Sequence, residues 1–163
     1  MRTRPATPDD AEAIARIYNE GIDDRVAPFE TEHRSPTDVT TWLADRLPVV
    51  VAEAESEVVT WAAAHPYRAR PVYDGIGEFS IYVARERRSA GLGASTLATL
   101  IEECERRGYW KLVARIFPEN DASVRLCRSL GFREVGVYRR HAKLDGEWRD
   151  CVVVEKLLGE ATS

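Results

Sequence analysis

The sequence predicts a single α/β (α+β) domain spanning residues 1–163, with about seven strands and about four helices. Two observations predict it. Elements alternate in a mixed order, hairpin, strand–helix, strand–helix, hairpin, with no internal repeat, linker or low-complexity tract. The composition is that of an ordinary globular chain, 44% hydrophobic and 31% charged, long enough to bury a substantial core.

The elements follow in order. "MRTRPAT" is a short first strand. "TPDDAEAIARIYNEGI" is a helix, with Thr7 as its cap, Pro8 in the first turn, and Asp9 and Asp10 suited to the dipole. Its Ile14, Ile17 and Tyr18 share one face. After the loop "DDRVAPFETEHR", a second helix opens at "SPTDVTTWLADRL", capped by Ser35. "PVVVAEAESEVVTWAAAHPY" is a hairpin of two β-branched runs joined through the polar "EAES", and "RARPVYDG" is a proline-containing loop.

"IGEFSIYVA" alternates as a strand, with Phe79, Ile81 and Val83 on one face and the more polar Glu78, Ser80 and Tyr82 on the other. A glycine loop leads into the helix "GASTLATLIEECERRG", which Gly108 terminates. The strand "YWKLVARIF" and the helix "ENDASVRLCRSLGF", ending at Gly131, follow. The tail forms two strands around Asp145-Gly146, a type I′ hairpin signal.

Bulk properties exclude several functions. A net charge of −4 argues against a general nucleic-acid or membrane-surface binder. Cys104, Cys127 and Cys151 are odd in number and widely spaced, which suits free thiols in a reducing compartment. The start "MRTRPATPDD" has no apolar signal core and no apolar run approaches membrane-spanning length, so a cytoplasmic protein is expected. His33 and His141 show no ligand spacing, and no metal site is expected.

The chemistry concentrates at "RRSAGLGASTLATL", residues 87–100. Glycines ahead of a helix start let backbone N–H groups converge on an anion, and arginines add charge. A phosphate-binding P-loop would need Gly-Lys-Ser/Thr at a spacing absent here. A dinucleotide fingerprint would want Gly or Ala where Thr96 stands. The run Arg88-Ser89-Ala90-Gly91-Leu92-Gly93, directly after a strand, instead resembles the coenzyme loop of the GNAT N-acetyltransferases. The later spacing Asn120, Ser123, Cys127, Gly131, Phe132 also resembles that superfamily's second motif.

Four further stretches, "VAPFETEHRSP", "YRARPVYDGIGEFSIYV", "FPENDASVRLCRSLGF" and "DGEWRD", resemble the phosphinothricin and arsinothricin N-acetyltransferases, nearly end to end. The resemblance implies the GNAT fold, a mixed and mostly antiparallel sheet. It also implies acetyl-CoA as cosubstrate, a homodimer, and acetylation of the α-amino group of a toxic glutamate-like amino acid. Another amine, such as methionine sulfone or sulfoximine, stays open, as does a non-catalytic acyl-CoA sensor.

Roles follow from the residues and the resemblance together. Glu78 is the expected general base, since an α-ammonium must lose a proton before attacking a thioester. Backbone N–H groups around Tyr82 and Val83 are expected to receive the oxyanion. Arg88, Ser89, Ala90, Gly91, Leu92, Gly93 and Ala94 are expected to hold the pyrophosphate, and Asn120 and Ser123 the pantetheine arm. Cys127 stands where many of these enzymes carry an acid tyrosine; it is expected either to protonate the leaving thiolate or simply to pack. Phe29, Arg70 and Tyr73 are the expected substrate contacts, with Arg34, Arg68, His65 and Arg139 as weaker ones.

Overall fold

The computed structural model describes residues 1–163. The seven strands are β1 (Arg2–Pro5), β2 (Val49–Ala54), β3 (Glu57–Pro66), β4 (Ile76–Val83), β5 (Lys111–Ile116), β6 (Arg133–Leu144) and β7 (Glu147–Leu157). The helices are α1 (Ala11–Asp23), α2 (Pro36–Ala44), α3 (Gly93–Arg106) and α4 (Asp121–Ser129). The strands form one sheet in the order β1-β2-β3-β4-β5-β7-β6. Every neighbouring pair is antiparallel except β4–β5, which is parallel and bridged by α3 as a crossover.

Local chemistry accounts for the boundaries. Ser35 and Asp38 cap α2 reciprocally, the Asp38 N–H donating to Ser35 Oγ (3.2 Å) and the Ser35 N–H to Asp38 Oδ2 (2.8 Å). The cap expected at Thr7 opens a short 3-10 turn, Pro8–Asp10, and α1 begins behind it. Both two-residue hairpin turns are of the type I′ class. Glu55 and Ser56 have φ of 54° and 66°, and Asp145 and Gly146 have 52° and 81°.

The sheet is covered on both faces. One apolar cluster joins Phe79, Leu112, Ala114 and Val154 to α3 and α4. The other joins Val51, Trp61, Ala63 and Tyr82 to α1 and α2. This corrects the expected polar face of β4. Tyr82 is buried in an aromatic group with Tyr18 (5.0 Å between centroids) and Trp61 (5.2 Å), and only Glu78 and Ser80 keep that face polar. The alternation was right; the second layer of helices changes what Tyr82 meets.

Two departures from regularity shape the functional end. The β4–β5 ladder covers only Ile76–Glu78 against Lys111–Val113, and beyond Glu78 the two strands part. On the outer strand, Tyr138 pairs with Cys151 and Ala142 with Arg149, so three residues of β6 oppose the single Asp150. The Arg140 N–H donates to Asp150 Oδ1 (2.8 Å) at the crest of this bulge, where Arg140 has φ 45°.

Candidate active site

Where β4 and β5 part, a cleft of about 400 Å³ opens. Phe79–Val83 form one wall and Ala114–Ile116 the other; Leu126 and Cys127 line it from α4, and Val26 and Pro28 from the α1–α2 loop. The walls follow from strand alternation. The Ala84 N–H donates to Val59 O (2.8 Å), so the amides of Tyr82 and Ser80 turn towards β3 in the regular register. The Phe79 amide closes the last rung of the β4–β5 ladder, and those of Ile81 and Val83 turn into the gap, where β5 offers no partner. Of the two amides expected to receive an oxyanion, Val83 faces the cleft and Tyr82 does not; the Ile81 amide faces the cleft beside that of Val83.

The glycine loop closes one end. Arg88, Ser89, Gly91, Leu92, Gly93 and Ala94 line the cleft together with Arg87, whereas Ala90 is exposed and outside the lining. Ser89 (φ 66°) and Gly91 (φ 75°) are both left-handed, turning the chain so that the first amides of α3 start at the cleft. A β-carbon at Gly91 would meet nothing within 4 Å, so the space over this turn is open. Free N–H groups, open space and arginines suit a pyrophosphate, and the unpaired strand amides suit a thioester carbonyl.

Asp24, which the sequence reading missed, holds Arg88 of this lining together with Arg85 just before it. Its carboxylate accepts from Arg85 (2.8 and 3.0 Å) and from Arg88 (2.7 Å), and these hydrogen bonds hold it below the usual carboxylate range against a smaller effect of burial. Asn120 and Ser123 both line the cleft, and the Ser123 N–H donates to Asn120 Oδ1 (3.2 Å), so Asn120 also caps α4. Cys127 is buried, and burial pushes its thiol up to about 12. That makes it a poor proton donor to a thiolate and a good packing residue.

Glu78 is the last β4 residue paired before the strands part, next to Phe79, the first residue of the cleft wall. Its Oε2 accepts a hydrogen bond from Arg115 Nε (2.9 Å) and forms an ion pair with Nη2 of the same guanidinium (2.8 Å). Arg115 is the second residue the sequence reading missed. The alternation Leu112, Ala114, Ile116 does put it on the other face of β5, but the β4–β5 register that brings it to Glu78 is a long-range property. His65 lies directly across from Glu78 on β3 and packs edge-on against Trp42 (4.9 Å). Burial holds its imidazole below the ordinary value, against the pull of Glu78 and Glu30.

None of the expected substrate contacts Phe29, Arg70 and Tyr73 lines the cleft itself. Phe29 (φ 58°) packs edge-on against Phe117 (5.2 Å) and lies 5.9 Å from His141, which the β6 bulge carries there. Arg149 sits over the Phe117 ring at 3.9 Å. Tyr73 packs on Tyr67 (5.8 Å), Arg68 covers the same ring (4.2 Å), and Arg70 is exposed without a side-chain partner. Arg34 is committed to Glu30 (2.7 Å) and the Tyr18 ring (5.3 Å). Arg139 is exposed in the bulge. No group of three or more His, Cys, Asp or Glu side chains is arranged to hold a metal ion, and no helix is long and apolar enough to cross a membrane.

A mixed sheet split between two parallel strands, with an anion-binding helix start at one end of the split, defines a coenzyme A-dependent acyltransferase. Known proteins agree. Residues 3–153 match the family model described as an acetyltransferase (GNAT) domain. The chain is 37% identical over 153 residues to a phosphinothricin N-acetyltransferase of Streptomyces viridochromogenes, covering 92% of this chain and 84% of that one. It is 31% identical over 160 residues to an L-methionine sulfoximine/L-methionine sulfone acetyltransferase of Pseudomonas aeruginosa, covering 93% and 91%. Among solved structures, a GNAT superfamily phosphinothricin acetyltransferase from Sinorhizobium meliloti in complex with AcCoA superposes with a TM-score of 0.91 at 31% identity, over 99% of this chain and 90% of that one. The chain belongs to the GNAT acetyltransferase family. It is an N-acetyltransferase, and acetyl-CoA is its cosubstrate.

Proposed function

We propose that this enzyme acetylates the α-amino group of a glutamate-like amino acid whose side chain ends in a tetrahedral oxyanion, phosphinothricin or arsinothricin, and so detoxifies it. The observation that carries this reading is Glu78, a half-buried carboxylate at the mouth of the split between β4 and β5. In this reading Glu78 accepts a proton from the substrate ammonium, and the freed nitrogen attacks the acetyl carbonyl. The Ile81 and Val83 amides receive the charge that develops on the carbonyl oxygen as the N–C bond forms, and its return to the carbonyl expels the thiolate with cleavage of the C–S bond. Water, rather than the buried Cys127, protonates the departing thiolate.

Arg88 to Ala94 without Ala90 hold the pyrophosphate, and Asn120 and Ser123 the pantetheine arm. Phe29 flanks the substrate's aliphatic part. Arg70 and Tyr73 reach it from the loop 67–75, where Arg70 carries an uncommitted guanidinium. The expected homodimer belongs to this reading as well: the outer strand β6 exposes Val135, Val137 and Tyr138. Methionine sulfone and sulfoximine are the second reading, favoured by the relative that carries that name.

The test is release of CoA thiol from acetyl-CoA over phosphinothricin, arsinothricin, methionine sulfone, methionine sulfoximine and glutamate, with Glu78→Gln alongside. Turnover of one oxyanion-bearing analogue, lost in Glu78→Gln and absent with glutamate, supports the reading and names the substrate. Turnover confined to the methionine derivatives selects the second reading. No turnover with any of them discards both.

A further inference from the structure

We infer that Arg115 is a specificity-determining residue, the receptor for the substrate's α-carboxylate beside the amine-binding Glu78. The inference rests on the amino-acid reading above and adds the group that selects for a free carboxylate. Nε and Nη2 of Arg115 both reach the same oxygen, Glu78 Oε2. Glu78 Oε1 and Arg115 Nη1 are therefore left without hydrogen-bond partners. Neither residue is sealed off, with side chains 25% exposed for Glu78 and 44% for Arg115.

A free α-amino acid is the complementary ion pair. Its ammonium matches the spare carboxylate oxygen and its carboxylate the spare guanidinium edge, across one carbon atom. The ladder explains the placement. Val113 is the β5 residue opposite Glu78, and Arg115 lies two residues further along the same face. Arg115 therefore stands on the diverging part of β5, where it lines the cleft and reaches back to Glu78. Its other acidic neighbours are committed elsewhere: Glu119 to Arg149 and Glu155 to Lys111 and Arg133. An amine without an adjacent carboxylate, at a peptide N-terminus or on a polyamine, would fill only half of this receptor.

The experiment compares L-phosphinothricin and L-methionine sulfone with their α-carboxamides, in the native chain, Arg115→Gln and Arg115→Lys. Acetyl-CoA binding is followed in parallel by calorimetry. The native enzyme is expected to prefer each acid over its amide by about 100-fold in kcat/KM, since an unmatched charged donor is costly. Arg115→Gln should raise KM for the acid by roughly 30-fold more than it does for the amide, with acetyl-CoA still bound. Arg115→Lys, which keeps the charge but not the fork, should fall between and provides the comparison if the glutamine variant is unstable. Equal losses on acid and amide would overturn the inference, because Arg115 would then serve only to position Glu78. An enzyme that binds acetyl-CoA but turns over neither acid would overturn the amino-acid reading itself, and this inference with it.

Discussion

The Arg88 guanidinium donates to Asp24 Oδ2 at 2.7 Å, so the arginine that opens the coenzyme loop is held by the residue that ends α1. Arg85 shares the same carboxylate, and its backbone N–H donates to Glu20 (3.0 Å). These are exposed pairs, and exposed pairs contribute little to positioning. Their larger effect is on charge, because Asp24 offsets Arg88, one of the two arginines that line the coenzyme end of the cleft. Asp24→Asn is therefore expected to lower the acetyl-CoA Kd, by about twofold to fivefold at low salt. The gain should vanish at roughly 0.5 M salt, where the Debye length is only a few ångströms. Calorimetric titration at two ionic strengths reads both, and weaker binding in the variant would show that the tether matters more than the charge.

Gly91 offers a second handle on the same loop. A β-carbon there clashes with nothing, so sterics within the protein do not require glycine. Its φ of 75° does, since a β-branched residue strains in that region by about 1–2 kcal/mol or more. A side chain would also project into the open space above the anion site. Gly91→Val is expected to raise the acetyl-CoA KM about tenfold or more, with Gly91→Ala in between. Steady-state kinetics at saturating amino acid measures it, and an unchanged KM in both variants would remove this loop from coenzyme binding.

The loop, its two glycines and the Asn120 motif were legible because each is a local signal: a turn, a cap, a helix start. The hairpin at Asp145-Gly146 was legible for the same reason. What could not be read was pairing between distant segments. Arg115 looks like any outward strand residue until the parallel register sets Val113 against Glu78. Asp24 looks like a plain helix end until Arg85 and Arg88 fold back to it. Tyr82 alternates with polar neighbours, yet α1 and α2 bury it, because a central strand of a two-layered sheet has no solvent face. The β6 bulge that brings His141 to Phe29 inserts residues opposite Asp150 without any glycine or proline to announce it.

Cys127 supplies a prediction against its own candidacy. With its thiol pushed up to about 12 by burial, proton transfer to a CoA thiolate of ordinary acidity runs uphill by roughly three pK units, or about 4 kcal/mol. Cys127→Ala is therefore expected to change kcat less than about threefold and to leave the pH profile of kcat in place, while lowering stability slightly through a small cavity. The thiol should also resist alkylation at pH 8 in the folded enzyme. A large fall in kcat with acetyl-CoA affinity intact would restore the acid role.

Stability at the other end of the sheet depends on Asp10. Asp10 is buried below the start of α1, where its carboxylate accepts from Arg4 Nη1 (2.8 Å), Arg4 Nη2 (2.9 Å) and the Thr7 N–H (2.8 Å). Burial alone would raise its pKa, but the Arg4 and Thr7 hydrogen bonds outweigh burial and hold it below the ordinary carboxylate value. A folded-state pKa below the unfolded one contributes stability above the unfolded value of about 4, and that stability is lost as pH falls through the folded value. Asp10→Asn keeps an acceptor for Thr7 but leaves Glu53 as the one carboxylate on Arg4, so a loss of about 2 kcal/mol is expected near neutral pH. For a chain of this size that is roughly 4–8 °C in Tm. The gap between native chain and variant should hold from pH 8 to about 5 and close on further acidification, as the native carboxylate takes up its proton. Thermal melts across that range measure it, and a gap that persists unchanged to the acid limit of folding would show that Asp10 acts through shape rather than charge.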